Sequence, residues 1–151
     1  MSSYEVTRSA SIAADPALVH TLINDFHEWP KWSPWEDLDP DMERTHSGAE
    51  AGVGAHYAWR GNRKAGEGSM EITSSTPDQV ALTVSFLKPW KATNDVDFAL
   101  DPTGDGTEVT WTMRGEHQGV MKLLGKVMSM DKLVGKDFEK GLAQLKVAAE
   151  A

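Results

Sequence analysis

Three polar side chains stand where recognition or chemistry could be done: Arg8, Asn94 and His117. Asn94 lies between Ala92 and Val96 on an otherwise apolar strand face. A buried polar group there needs a partner. That partner is protein, water or a ligand, because an amide both donates and accepts. Arg8 is in phase with Val6 and Ala10. Its guanidinium suits either a salt bridge at a sheet edge or a ligand carboxylate. His117 ends a strand in phase with Met113. An imidazole there is either a surface group or a general acid or base.

Other chemistry-bearing patterns are weaker. His27 and His56 have Glu28 and Arg60 near them, which marks solvent-facing surroundings. The five histidines show no metal-ligand spacing. The run Glu36-Asp37-Leu38-Asp39-Pro40-Asp41 lacks the glycine and closing glutamate of a calcium loop and reads as a solvated loop. Gly48, Gly52 and Gly54 are not followed by Gly-Lys-Ser/Thr, so they read as a turn and not as a phosphate cradle. Ser33 and Ser47 offer no histidine-plus-acid pattern for a triad. Catalytic residues are therefore not assigned, and neither a metal nor another cofactor is expected.

The stronger signal is aromatic. Asp25 through Trp35 (DFHEWPKWSPW) holds three of the six tryptophans. Its two prolines bar a regular helix, so a rigid aromatic piece at the lip of a pocket is expected. Trp32, Trp35, Tyr57, Trp59, Phe86, Phe98 and Trp111, with Met70, Met113 and Met128, are candidates to line that pocket, and Asn94 is a polar contact within it. Pockets are mostly apolar with a few polar groups, and methionine adapts to irregular guests. Each of these residues taken singly also fits an ordinary core.

The elements that position these residues follow from periodicity. Residues 4–12 alternate as a strand, with Tyr4, Val6, Ala10 and Ile12 on one face. Asp15-Pro16 opens a helix carrying Leu18, Val19, Leu22, Ile23 and Phe26 at helical spacing. Residues 54–61, 67–75, 79–87, 91–101 and 107–115 alternate as further strands. Thr76-Pro77-Asp78-Gln79 reads as a tight turn and Asp105-Gly106 as a hairpin signal. Half-apolar strands with short connections belong to an antiparallel sheet with one wet face. From about Gly119 onward the pattern is helical, either kinked near Ser129 or split into two helices.

Bulk properties bound the function. The chain has 151 residues and no visible linker or repeat, so residues 1–151 are expected to form one domain. A net charge of −8 argues against nucleic acid and anionic membrane surfaces as partners. No apolar run approaches the roughly 18 residues of a membrane span, so membrane insertion is not expected. The N-terminus lacks the pattern of a signal peptide. Cysteine is absent, which fits a cytoplasmic setting. The oligomeric state is not legible.

The order strand, helix, aromatic segment, strands and long C-terminal helix resembles the START-like (SRPBCC) superfamily, the α+β helix-grip fold. Within it the chain most resembles the polyketide cyclase/dehydrase and lipid-transport branch. The residues that carry the resemblance are Ser11 through Val19 (SIAADPALV), Asp25 through Trp35, and Val134 through Lys146 (VGKDFEKGLAQLK). The resemblance implies a seven-stranded antiparallel sheet wrapped around the long C-terminal helix, two short helices after the first strand, and a pocket between sheet and helix. It also implies a hydrophobic or amphipathic small-molecule ligand, lipid or polyketide-like, held by a binding or carrier protein. The alternative it implies is a cyclase or dehydratase that uses polar cavity residues drawn from Arg8, Asn94 and His117.

Overall fold

The structure, a computed structural model, describes residues 3–35, 39, 41–62, 66–88, 91–116 and 130–151. Seven strands form one antiparallel sheet: β1 (Ser3–Ile12), β2 (Glu43–Gly48), β3 (Ala55–Arg60), β4 (Glu67–Thr76), β5 (Gln79–Lys88), β6 (Ala92–Thr103) and β7 (Gly106–Glu116). Their order across the sheet is β1-β7-β6-β5-β4-β3-β2. Helix α1 (Pro16–Asn24) and a 3-10 helix (Phe26–Lys31) follow β1, and helix α2 (Met130–Glu150) closes the chain. This is the expected α+β helix-grip architecture. The segment 119–129, with the anticipated kink near Ser129, lies outside the described residues, as do His117 and Met128.

Alternation makes the sheet two-sided. Inward positions of β5 (Val80, Leu82, Val84) and β6 (Asn94, Val96, Phe98, Leu100) are buried. The β2 strand breaks this rule. All six of its residues are exposed, so no apolar alternation marks it in the sequence. The Thr76–Gln79 turn forms as expected. The β6–β7 hairpin closes one residue earlier than the Asp105-Gly106 signal, because Thr103 pairs with Gly106 and leaves Gly104 and Asp105 as the loop.

The helices lock onto this frame by specific contacts. Pro16 occupies the first turn of α1, but Asp15 caps it by position alone, without a side-chain hydrogen bond. Helix α2 runs along β1, with Gly135 against Arg8 and Lys146 bonded to the Ser11 carbonyl. The helix glycines stand where sheet side chains crowd in: a Cβ on Gly141 would meet the Trp111 ring at 2.8 Å.

The far end of α2 is tied by charge. Glu150 accepts hydrogen bonds from Lys146 and, at 2.8 Å, from the Ala13 amide. Those bonds, Lys146 first, hold its pKa below the ordinary 4.5. A depressed carboxylate contributes stability that is complete above its unfolded-state pKa and is lost as pH falls through the folded-state value. Glu150→Gln is therefore expected to lower the melting temperature modestly at neutral pH and to flatten its decline below about pH 4.5, so that the two proteins converge at low pH. A thermal melt series from pH 7 to pH 3 checks this; parallel declines in the two proteins would contradict it.

Candidate functional site

The tryptophan segment is a plug more than a lip. A helix leaves its last carbonyls without intrahelical donors. At the end of α1 the indoles supply them: Trp32 Nε1 donates to Leu22 O and Trp29 Nε1 to Ile23 O, both at 2.8 Å. Both rings end up 1% exposed. Only Trp35 stays at the rim, half-buried, where its Nε1 donates to Asp137 Oδ2 of α2 at 3.1 Å.

The candidate lining residues divide into two groups. Trp32, Phe98 and Trp111 sit in a close-packed cluster with Trp29 and Phe138. Trp111 lies flat on Phe138, with centroids 4.0 Å apart at 8°, and stacks on Phe98 at 4.8 Å. Trp32 meets Phe98 and Trp111 edge-on. These rings fill the space under α2 with protein. Met113 is buried one inward position along β7 from Trp111.

The second group occupies the other end of the same inner face. One cross-strand row runs Tyr4, Gly115, Asn94, Val84, Met70, Tyr57, the Gly115–Asn94 step following the pair Arg114–Asp95. The next row outward holds Ala92, Phe86, Gly68 and Trp59. Trp59 and Phe86 meet edge-to-face at 5.9 Å, and both remain only partly buried. The indole of Trp59 lies over Gly68, where an added Cβ would come within 2.7 Å of it. Met128 lies outside the described residues.

Asn94 is 3% exposed and bonded to Tyr4, whose hydroxyl donates to Asn94 Oδ1. The two reach each other across β7 because Gly115 between them has no side chain; a Cβ there would stand 1.9 Å from Oδ1 and 2.7 Å from the Tyr4 oxygen. The Tyr4 phenol is a protonated donor at neutral pH, and burial pushes its pKa further above the ordinary 10.0. Tyr4 is a site residue that the strand pattern alone did not single out.

Arg8 takes the salt-bridge role: its Nε donates to Glu139 Oε2 at 2.9 Å on the sheet-edge strand β1. It stands four residues from Tyr4 on β1, about 13 Å along a strand. Arg8 and Asn94 therefore do not converge. His27 is solvent-facing and stacks on His46 at 4.2 Å.

On the outer face the register assembles what the linear sequence did not show. Ser47 pairs with His56, and His56 with Glu71, across β2, β3 and β4. Ser47 Oγ lies 3.3 Å from His56 Nδ1. His56 and Glu71 help line an open groove of about 420 Å³ with Ser69, Thr73, Thr83 and Ser85. Ser47 and Glu71 are exposed, and the neighbouring amides serve the strand ladder, so this row lacks the sheltered oxyanion donors of a working triad. Among the described residues no cluster of His, Asp or Glu could hold a metal, and no helix is long and apolar enough to cross a membrane.

Comparison with known proteins agrees with the architecture. Protein CV1439 from Chromobacterium violaceum superposes with a TM-score of 0.69 at 14% identity, covering 97% of this chain and 98% of that one. The Aha1 dimer from Colwellia psychrerythraea gives 0.69 at 18%, covering 97% and 96%. SA2116 from Staphylococcus aureus, a protein of unknown function, gives 0.70 at 13%, covering 98% and 94%. At such identities these likenesses speak for the fold alone. No curated protein matches in sequence. Residues 3–150 match the family described as polyketide cyclase / dehydrase and lipid transport, and the chain belongs to that family.

Proposed function

We propose that this protein binds a hydrophobic or amphipathic small molecule, of lipid or polyketide type, between the inner face of its sheet and its C-terminal helical region. The observation that carries the reading is the contrast between the two ends of that face. At the Trp111 end, side chains pack ring on ring. At the other end, Trp59 and Phe86 turn inward yet remain partly uncovered, beside Met70, Tyr57 and Asn94. Inward-facing aromatics with accessible surface, next to one buried amide, form the lining of an apolar site with a polar mark. Trp35, latched to Asp137, packs edge-on against Trp111 and Phe138 at the filled end.

A carrier role is favoured over cyclase or dehydratase chemistry because Arg8 is engaged by Glu139 and stands far from Asn94. The family match over residues 3–150 supports one domain, and the lack of cysteine supports a cytoplasmic setting.

Native mass spectrometry of the protein as purified is expected to show an added mass that organic extraction removes. Apolar ligand at a hundredfold excess over its dissociation constant is expected to add about 2.7 kcal/mol, or roughly 5–10 °C in melting temperature for a domain of this size. No added mass, together with no shift across a panel of lipids and aromatic polyketide-like compounds, would remove the reading.

A further inference from the structure

We infer that the guest is anchored by a neutral hydrogen-bond acceptor, a ketone or ester carbonyl, received by the side-chain amide of Asn94 at the polar end of an otherwise apolar site. This rests on the binding reading above and adds the chemical class of the ligand.

The argument starts from what occupies the amide. Among the described residues, the Asn94 side chain makes one hydrogen bond, accepted by Oδ1 from the Tyr4 hydroxyl. Its Nδ2 makes no hydrogen bond there and is not among the unpaired atoms sealed from solvent, so this donor faces accessible space although the residue is 97% buried on the inner face between Gly115 and Val84. An amide nitrogen carries two donors, and an apolar guest that displaced water from them without offering an acceptor would leave them unmade at a cost. Tyr4 also fixes the amide's direction. With Oδ1 engaged, the group left for a guest is a donor, so the guest must bring an acceptor.

Charge decides which acceptor. Tyr4, Gly115, Asn94, Val84, Met70 and Tyr57 make a row with no cation in it. The inward-facing Arg8 lies further up β1 and is bound to Glu139. A carboxylate would shed its water for one neutral donor, an exchange that burial without a counter-charge disfavours. A carbonyl sheds far less.

The test uses related probes: 2-acetylnaphthalene, its deoxygenated analogue 2-ethylnaphthalene, 2-naphthoate, and the alcohol 1-(2-naphthyl)ethanol. Calorimetric titration of the whole chain is expected to rank the ketone about fivefold to tenfold tighter than the ethyl compound, with naphthoate weakest. Asn94→Leu, close in volume and without the amide, is expected to abolish the preference while ethylnaphthalene still binds. Tyr4→Phe frees Oδ1 and is expected to shift the preference from ketone toward alcohol; it carries the test if Asn94→Leu fails to fold. The carbonyl stretch of the bound ketone should fall in the native protein. Equal affinity for ketone and ethyl compound, or a ketone preference that survives in both variants, overturns the inference and leaves the binding reading standing. Failure of all four probes to bind, with no co-purifying compound, overturns the binding reading and the inference together.

Discussion

Replacing Trp111 by alanine is expected to cost about 3–5 kcal/mol of folding stability, the range of buried aromatic truncations. Trp111 is 1% exposed and joins three parts of the fold. It stacks on Phe98 of β6 and Phe138 of α2, and meets Trp32 and Trp35 of the aromatic segment edge-on. No neighbour can collapse into the space without abandoning another ring contact. Against the 5–15 kcal/mol typical of a whole domain, the loss is large. Denaturant unfolding with an unchanged m-value would measure it, and near-UV circular dichroism would lose the signal of the stacked indoles.

Trp111→Phe separates packing from polarity. The indole nitrogen is sealed among rings with no acceptor among the described residues. Phenylalanine gives up part of the ring area but also removes a buried, unpaired donor. Its net cost is therefore expected to be far smaller, about 1 kcal/mol or less. An alanine variant no worse than the phenylalanine variant would mean that the stack does not hold α2 to the sheet.

Much of this arrangement is written in local periodicity, and the parts that are not share one cause. Strands β1 and β3 through β7 alternate because one face is buried, so Val80, Leu82 and Val84 announce their strand directly. Strand β2 does not, since every residue from Glu43 to Gly48 is exposed. The composition of Asp25–Trp35 was plain, but its direction was not. Whether indoles face a cavity or cap a helix depends on the Leu22 and Ile23 carbonyls that α1 leaves unpaired. Asn94 was legible as a polar residue in an apolar phase. Its partner Tyr4 lies 90 positions away and is reached only through the β1–β7–β6 register. The Ser47–His56–Glu71 row is of the same kind. Phase shows which face a residue takes, whereas its neighbour on that face is set by register, which a single strand does not carry.

Gly68→Ala follows from register in the same way and couples stability to binding. Alanine in place of a strand glycine would ordinarily help by about 0.4–1 kcal/mol, by restricting the unfolded chain. Here its Cβ would stand 2.5 Å from the Ser85 carbonyl oxygen and 2.7 and 2.9 Å from two ring atoms of Trp59. The first of these is backbone of the neighbouring strand, held by the β4–β5 ladder beside a register shift at Glu67/Gly68. It cannot rotate away, so overpacking wins and a net loss of about 1–3 kcal/mol is expected. The indole is the part that can move, and the glycine beneath it is what lets it lie flat against the sheet. Lifted, it enters the space assigned to the guest, so affinity for an apolar ligand should fall along with stability. A Trp59→Ala background tests this route. It removes the ring contacts and keeps the Ser85 contact, so the methyl group should cost less there by about 1 kcal/mol, and its effect on ligand affinity should vanish. Additive costs in the double variant would instead place the whole penalty in the β4–β5 backbone and remove Trp59 as the wall that sets the depth of the site.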